Sequence, residues 1–309
     1  MRIALLCNNK MAFPAMQRMI SEGVLCGVAT ADNDPEVVEM VKQLTVRENI
    51  HFQVISHKGR CEQLKEWLVD VSPDIVFVMT FPWRLTVDIL QIPPRGFLNF
   101  HYGLLPQMRG ADPIFESIRQ QKKTAGLTVH LMDEGFDTGP IVTRVDVPIF
   151  PESTYGMLCG QMARIGEDVC RQLIQDLMSD CLTTYQPQDE SSAIYWPKIG
   201  KEHIRVRWRD MTQAEIIALI RSCNPIARGV PVLLNGWEFG VYDATAIDLQ
   251  GDTTTIMPGT IITIDPQNGL IVCSADGKGV RLDVIITGEG VFPGSKLVMW
   301  GIAPGNIFS

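Results

Sequence analysis

The feature that most constrains the fold is an alternation of apolar runs and amphipathic stretches over the first 80 residues. The apolar runs predict buried strands at residues 2–7, 23–30, 51–55 and 74–79. Apolar residues at helical spacing predict helices at residues 13–22, 36–48 and 61–71. Strands that alternate with helices through short connections predict an α/β domain with a doubly wound, mostly parallel sheet.

Such a sheet often binds a nucleotide, so the glycine-rich phosphate loops are the first motifs to test. The chain has neither GxGxxG after its first strand nor GxxxxGK[ST] anywhere, and Asn-Asn-Lys follows that strand. A Rossmann dinucleotide cofactor is therefore not expected. The ligand crevice is expected at the carboxyl ends of the central strands, in the loops Thr80–Leu85 and Gly103–Gly110.

The pattern changes in the last third of the chain. After one predicted helix at residues 213–223, short strands alternate with turn signals such as Asn235-Gly236 and Asn268-Gly269. This spacing predicts a small β-barrel-like, OB-like domain. We therefore expect a catalytic domain at residues 1–184, a linker at 185–205 and a C-terminal domain at 206–309.

Charge and cysteine usage limit the partners. The formal net charge of -8 gives no bulk attraction to a phosphate backbone, which disfavours a nucleic-acid partner. The eight cysteines are scattered, without a CxxC pair or a histidine at metal-ligand spacing, so we expect reduced thiols and no metal site. Since no apolar run has the length of a signal peptide or a membrane span, we expect a cytoplasmic protein without a membrane partner.

Three polar residues near predicted strand ends are candidates for chemistry: Asn99, His101 and Asp137. Asn99 and His101 are two positions apart and so share one face of a strand. Asp137 lies in an acidic, glycine-containing turn after the strand predicted at residues 126–132. An aspartate beside a histidine stabilises the imidazolium, and an asparagine amide can donate to an oxyanion. The set suits attack of an amine on a carbonyl carbon.

Each of these residues also has a purely structural interpretation. A histidine in a strand is commonly a hydrogen-bonded structural residue, and Asp137 precedes Thr-Gly, as a turn residue would. We assign no chemistry to His51, His57, His130 and His203. Arg109-Gly110 is equally compatible with a simple turn. Spacing alone leaves the enzymatic and structural interpretations about even.

A resemblance favours the enzymatic interpretation. Five motif elements in register resemble the formyltransferase family that uses 10-formyltetrahydrofolate, of which methionyl-tRNA formyltransferase is one member. These elements are Asn99-x-His101, the run Leu104–Gly110, Pro113, Gly126-x-Thr128-x-His130 and Asp137-x-Gly139. The resemblance is dense over residues 74–147 and weaker beyond. The order of an α/β domain, a linker and a small β domain is also similar to that family.

The resemblance implies roles for residues at matching positions. Asn99 and His101 would polarise the formyl carbonyl, and Asp137 would orient His101 and help to take protons from the amine. The cosubstrate would be 10-formyltetrahydrofolate, with its pterin against two loops. The residues expected to bind it are Phe81, Trp83, Arg84, Leu85, Asp133 and Gly135. For Trp83, simple packing is the alternative.

Departures from the family pattern bear on the acceptor amine. The predicted substrate loop contains Gly103, Leu104, Arg109, Gly110 and Asp112, and its first and last members stand where the family usually has serine and a small apolar residue. The segment 29–36 is short and acidic where the tRNA enzyme carries a basic insertion.

These departures favour an amino sugar nucleotide or a carrier-held aminoacyl group as the acceptor. Methionyl-tRNA is the alternative, supported by the basic run at 205–209. An alternative of another class is a non-catalytic folate-binding protein, which the intact Asn-His-Asp set argues against.

Overall fold

The computed structural model describes residues 1–182, 185–226, 229–251, 253, 255–265, 267 and 269–308. The predicted boundary at residue 184 and the predicted turn residue Asn268 lie outside these ranges. The chain forms two compact units. The first contains Met1–Pro113, Ala125–Pro148 and Cys159–Trp196, and the second contains Ile114–Thr124, Ile149–Leu158 and Pro197–Ser309.

Five parallel strands form most of the first sheet, as the alternating pattern predicts. They are β1 (Ile3–Cys7), β2 (Leu25–Ala31), β3 (His51–Ile55), β4 (Ile75–Met79) and β5 (Phe97–His101). The helices between them are α1 (Phe13–Ser21), α2 (Pro35–Arg47), α3 (Arg60–Val71) and α4 (Val87–Leu90). Every residue of β1 and β4 is buried, because helices cover both faces of a parallel sheet.

Local capping explains where α2 begins. The Asp34 side chain accepts hydrogen bonds from the backbone N–H groups of Glu36 and Val37, and Pro35 occupies the first helical position. Asp34 therefore caps α2, and the connection from β2 to α2 is only three residues long.

The direction of the sheet reverses beyond β5. The elements that follow are β6 (Arg109–Gly110), α5 (Pro113–Arg119), β7 (Thr124–Leu131), β8 (Ile141–Pro148), α6 (Tyr155–Met178) and β9 (Tyr195–Trp196). The sheet order is β3-β2-β1-β4-β5-β7-β8, and β7 runs antiparallel to β5. The reversal places Asn99 opposite His130 and His101 opposite Thr128.

Part of the segment predicted as a linker belongs to the first unit. Gln186 forms two backbone hydrogen bonds with Ile141, and β9 pairs in parallel with β6. Gly110 has φ of +123°, and a Cβ at this position would collide with the backbone carbonyl of Trp196, so the pairing requires glycine.

The second unit contains α7 (Gln213–Cys223) and six antiparallel strands. The strands are β10 (Val230–Leu234), β11 (Trp237–Ile247), β12 (Ile261–Asp265), β13 (Gly269–Cys273), β14 (Gly279–Thr287) and β15 (Gly290–Pro293). Asn235 and Gly236 both have positive φ in the β10–β11 turn, as the Asn-Gly signal predicts. Buried Trp208 and Phe308 contribute to the core of this unit. The predicted fold class, an α/β domain followed by a small β domain, is confirmed.

Short 3-10 helices complete the described secondary structure, at Lys10–Ala12, Glu190–Ser192, Lys201–His203 and Gly294–Trp300. Within the described ranges, none of the helices combines the length and the apolarity needed to cross a bilayer.

Candidate active site

Asn99 and His101 lie on β5 and face the same side of the sheet, as their spacing predicts. The intervening Phe100 is buried on the other side, where its ring lies 5.3 Å from that of Phe77. This alternation follows from the pleat of the strand, which turns successive side chains to opposite faces. The His101 side chain is only 6% exposed, so its imidazole is almost completely removed from water.

The turn after β7 brings Asp137 to these two residues. Its Oδ1 lies 3.4 Å from His101 Nδ1, and it accepts a hydrogen bond of 3.4 Å from Asn99 Nδ2. Its Oδ2 accepts a hydrogen bond of 3.0 Å from the backbone N–H of Gly110. The structure therefore brings the three sequence-predicted residues together in one cluster.

Asp137 has a left-handed backbone, with φ of +57°. A non-glycine residue pays an energetic cost in this region and stays there only when its surroundings hold it. Gly139 lies two residues further, and a Cβ at that position would collide with the carbonyl oxygen of Leu131. The connection between β7 and β8, residues 132–140, therefore depends on glycine at 139.

His130 is a member of the cluster that the sequence analysis missed. Its Nε2 lies 3.1 Å from Asn99 Nδ2 and 3.7 Å from Asp137 Oδ1, and its side chain is 3% exposed. We assigned it no chemistry because it alternates within a predicted strand. Its position in the Gly-x-Thr-x-His motif was the available signal, and the antiparallel register that sets it opposite Asn99 was not predictable from spacing.

The hydrogen-bond partners of the two histidines fix their protonated nitrogens. A carbonyl oxygen can only accept, so His101 Nε2 carries a proton that it donates to Met108 O over 2.6 Å. His130 Nδ1 in the same way donates to Leu131 O over 3.1 Å. In neutral His130 the other nitrogen, Nε2, is then free to accept from the Asn99 amide.

The charges of Asp137 and His101 stabilise each other. Burial opposes the imidazolium, but the Asp137 charge, its hydrogen bond and the Met108 carbonyl outweigh that effect and raise the pKa of His101. Burial likewise opposes the carboxylate, but the charge and hydrogen bond of His101 and the Gly110 N–H hold the pKa of Asp137 far below its ordinary value. The pair is thus a buried carboxylate beside an imidazole whose pKa is raised above its ordinary value.

The residues of the predicted substrate loop differ in their distance from the cluster. A Cβ at Gly103 would lie 2.8 Å from His101 Nε2 and 2.6 Å from Pro113 Cβ, so the imidazole packs directly over this glycine. Leu104 is half-buried and packs over Gly126. Asp112 is half-buried and follows β6.

Arg109 does not direct its guanidinium at the three clustered residues. Its Nε and Nη2 donate to Gln188 Oε1 over 3.2 and 2.9 Å, and its Nη1 and Nη2 donate to Glu190 over 2.8 and 2.6 Å. The side chain is 7% exposed. Its interpretation as a simple turn residue is wrong, because Arg109 and Gly110 form a strand.

The predicted folate-binding residues have different environments. Phe81 and Trp83 are half-buried, with ring centroids 5.3 Å apart in an edge-to-face arrangement, whereas Leu85 is 3% exposed and packs in the core. The Arg84 guanidinium lies 5.5 Å from the centre of the Phe136 ring and donates to Glu134 O.

The acidic turn itself is internally bonded. Asp133 Oδ1 accepts from Gly135 N over 3.0 Å and from Thr138 Oγ1 over 2.6 Å. A Cβ at Gly135 would collide with Thr138 Oγ1, so glycine fits this turn closely. Across the part of the chain that the structure describes, no group of three or more His, Cys, Asp or Glu side chains is arranged to hold a metal ion.

Comparison with known proteins identifies the family. Residues 6–174 match the model of formyl transferases, and residues 198–290 match the model of the formyl transferase C-terminal domain. The chain belongs to the formyl transferase family. The family resemblance predicted from the sequence is thus confirmed, and formyl transfer is the reaction class of this enzyme.

Two relatives of this formyl transferase carry the same name, and one of them covers almost its whole length. A protein of Carboxydothermus hydrogenoformans named methionyl-tRNA formyltransferase is 31% identical over 287 residues, which are 91% of this chain and 90% of that protein. A protein of Nitrosococcus oceani with the same name is 32% identical over 72% of this chain and 68% of its own.

Solved structures share the fold at lower identity. The sugar 3N-formyl transferase WlaRD, described with dTDP and 5-N-formyl-THF, gives a TM-score of 0.67 at 17% identity, covering 91% of this chain and 96% of its own. An N-formyltransferase from Helicobacter canadensis, in complex with folinic acid and dTDP-3-aminofucose, gives 0.67 at 19% identity, covering 91% and 98%.

Proposed function

We propose that this formyl transferase moves the formyl group of 10-formyltetrahydrofolate to a primary amine, with Asn99, His101 and Asp137 as its catalytic residues. The observation that carries the proposal is the convergence of these three side chains, with His101 and Asp137 buried 3.4 Å apart. Family membership supplies the reaction class. The folate ligands named for two solved relatives support the choice of formyl donor.

In the proposed reaction the amine nitrogen attacks the formyl carbon and forms a tetrahedral oxyanion. The amide of Asn99 donates to its oxygen, and the positive charge of the His101 imidazolium, whose N–H groups face Met108 O and Asp137 Oδ1, stabilises the negative charge at longer range. The Asn99–Asp137 hydrogen bond is long, at 3.4 Å, and an incoming carbonyl oxygen can replace it at small cost. The bond between the formyl carbon and N10 then breaks, and N10 takes up a proton.

Asp137 acts first through its charge. A carboxylate whose pKa lies far below the ordinary range is a weak base, so it is poorly suited to keep a proton taken from the amine. Its negative charge instead stabilises the His101 imidazolium and the positive charge that develops on the attacking nitrogen. The amine proton then passes through the carboxylate to the leaving N10.

We place the pterin of the donor against the loop after β4 and the turn after β7. Phe81 and Trp83 offer half-buried aromatic surface to a flat heterocycle. The backbone of the Asp133–Gly135 turn offers hydrogen-bonding groups to its polar edge. Leu85 contributes from the core by supporting the two aromatic rings, since it packs in the same apolar cluster.

For the acceptor we propose a small or carrier-held amine, such as an amino sugar nucleotide or an aminoacyl carrier. The connection after β2 contains Asp32, Asn33 and Asp34 and carries no basic residue that could grip a phosphate backbone. The structures related at a TM-score of 0.67 are a sugar 3N-formyl transferase and an N-formyltransferase solved with dTDP-3-aminofucose, which supports this choice of acceptor.

Methionyl-tRNA is the second candidate acceptor, and a specific observation favours it. The curated relatives at 28–32% identity carry the name methionyl-tRNA formyltransferase. In addition, Arg205, Arg207 and Arg209 are all exposed, which is the arrangement expected of a phosphate-contacting run.

One assay separates these candidates. Purified protein is incubated with 10-formyltetrahydrofolate and, in turn, amino sugar nucleotides, aminoacyl carrier proteins and methionyl-tRNA, and the N-formyl products are quantified by mass spectrometry. Formylation of a sugar or carrier amine with the highest kcat/KM supports the preferred acceptor. Formylation of methionyl-tRNA with the highest kcat/KM overturns that preference, and folate binding without transfer to any amine supports the non-catalytic alternative.

A further inference from the structure

Gln188 forms a double hydrogen bond to the main chain of the Asp137 turn. Its Nε2 donates to Asp137 O over 2.8 Å and to Gly139 O over 2.7 Å. A side-chain amide nitrogen has two hydrogens, so both are used and both carbonyl oxygens of this tight turn are satisfied. Gln188 is 51 residues from Asp137 in sequence and does not touch the reacting side chains in these contacts.

Arg109 fixes the orientation of the Gln188 amide. Gln188 Oε1 accepts from Arg109 Nε and Nη2, at 3.2 and 2.9 Å. A flipped amide would set its NH2 against the guanidinium, donor against donor, and would lose four hydrogen bonds. Glu190 accepts two further hydrogen bonds from Arg109 and so holds the guanidinium plane in place.

The turn needs such support because of its geometry. Asp137 has φ of +57°, a conformation that persists only where surrounding contacts enforce it. The Gly110 N–H holds the carboxylate of Asp137 from one side, and Gln188 holds its carbonyl from the other. Gly110 binds the Asp137 carboxylate directly, and Arg109 orients the Gln188 amide that binds the Asp137 carbonyl. Both contacts therefore depend on the two-residue strand β6.

We propose that Gln188 is a positioning residue for catalysis: its amide, oriented by Arg109 and Glu190, fixes the Asp137 turn so that the carboxylate stays against His101. Gln188 acts through Asp137 and not on the substrate. The proposal deepens the proposed function and rests on it for the kinetic result, but its structural part is testable in the free protein.

The test must change the hydrogen bonds without changing charge near His101. The ionisable groups around that imidazole are Asp137 and, through Asp137, His130, while Arg109 is close enough to Asp137 for their charges to interact. Substituting Arg109 or Glu190 would change the charge near Asp137 and could therefore alter the His101 pKa even if no side chain moved. Gln188→Met is neutral and nearly isosteric, and it removes all four hydrogen bonds. Gln188→Asn, which keeps an amide but withdraws it by one methylene, is the second, milder variant.

The matched control is Gln186→Met. Gln186 has the same side chain two residues earlier and is exposed, and only its main chain pairs with Ile141. In each variant we would titrate His101 by NMR of isotope-labelled protein, measure thermal unfolding, and determine kcat and KM for formyl transfer.

We expect Gln188→Met to shift the His101 titration to lower pH, because the Asp137 carboxylate moves away from the imidazole. We also expect kcat to fall by about tenfold or more, because the rate falls steeply when a catalytic group is displaced. KM should change by no more than about twofold, since substrate contacts are retained. Gln188→Asn should give a smaller change in the same direction, and Gln186→Met should match the wild type.

Unchanged His101 titration in a folded Gln188 variant overturns the positioning role, even if thermal stability falls. If wild-type protein transfers no formyl group but the titration shifts, positioning stands and the proposed function fails. If transfer proceeds equally in wild type and in folded Gln188→Met, the proposed function stands and positioning fails.

Discussion

The two halves of the first sheet are built from similar strands but perform different tasks. In the parallel half, β1 and β4 are apolar and buried at every residue, and their side chains pack against helices. In the antiparallel pair, β5 and β7 carry Asn99, His101 and His130 within equally buried surroundings. Burial is therefore common to both halves, and what differs is whether polar side chains face one another.

Strand direction accounts for this difference. β5 is parallel to β4 on one side and antiparallel to β7 on the other. The antiparallel ladder sets Asn99 directly opposite His130, so that cross-strand neighbours supply two members of the cluster. The parallel ladders pair only apolar residues in β1 and β4. The parallel half supports the site, and the antiparallel pair forms it.

The largest expected effect is at Asp137, in the turn that follows the antiparallel pair. Asp137→Asn removes the charge that stabilises the His101 imidazolium, and we expect formyl transfer to fall by about a hundredfold or more. Asp70→Asn is the matched control, since this exposed aspartate lies on α3 of the parallel half. If Asp137→Asn transferred formyl groups at a rate close to the wild type, the contrast between a supporting parallel half and a catalytic antiparallel pair would be wrong.

The next effect is on stability and belongs to the parallel half. Leu6→Ala deletes a fully buried side chain from β1, and we expect about 2–5 kcal/mol lower free energy of unfolding in a denaturant titration. The kcat per folded molecule should be unchanged. The control is Val46→Ala at an exposed position of α2. A loss of kcat in fully folded Leu6→Ala would show that the two halves are not separable.

A moderate effect should follow from His130→Phe. The ring volume is kept, but the Asn99 amide loses its acceptor, and an unsatisfied buried donor costs about 1–3 kcal/mol. We expect kcat to fall by about tenfold, with His51→Phe on β3 as the control. If both histidine variants behave alike, the cross-strand partner of Asn99 has no catalytic importance.

The smallest effect should come from the exposed ion pair of the parallel half. Lys10 and Glu36 are 2.6 Å apart with side chains 56% and 70% exposed. Glu36→Gln should change the free energy of unfolding by less than about 1 kcal/mol and leave kcat unaltered, because solvent screens such pairs. A larger change in the free energy of unfolding, measured by thermal unfolding at moderate salt, would mean that the Lys10–Glu36 ion pair contributes more to stability than its exposure indicates.

The sequence predicts the parallel half well and the antiparallel pair only in part. The bounds of β1 to β4 agree within two residues with the predicted strands, and the complete burial of β1 and β4 leaves the clearest local signal. Asn99 and His101 share a face for the equally local reason of strand periodicity. Asp137 was predicted to join them from its position at a strand end, and its distances to both agree with that prediction.

The misses all depend on residues distant in sequence. His130 gains its partner through an antiparallel register that no spacing records. The partners of Arg109 are Gln188 and Glu190, which are 79 and 81 residues further along the chain. Leu85, which the sequence analysis expected to bind folate, is buried in the core because residues of several elements pack around it. Long-range pairing of this kind is decided by the complete fold, so a local pattern cannot encode it.

The central claim is that the buried Asp137 carboxylate raises the pKa of His101, and its most direct measurement is the titration of His101. Folding favours the imidazolium, so its stabilising effect is complete below the unfolded-state pKa of about 6.5 and is lost as the pH rises through the higher pKa of the folded state.

NMR of histidine-labelled protein should give His101 a pKa above about 6.5 in the wild type. In Asp137→Asn the pKa should be clearly lower, because only the Met108 carbonyl then offsets the effect of burial on the imidazolium. A wild-type His101 that titrates below about 6.5, or a titration that Asp137→Asn leaves unchanged, would contradict the account.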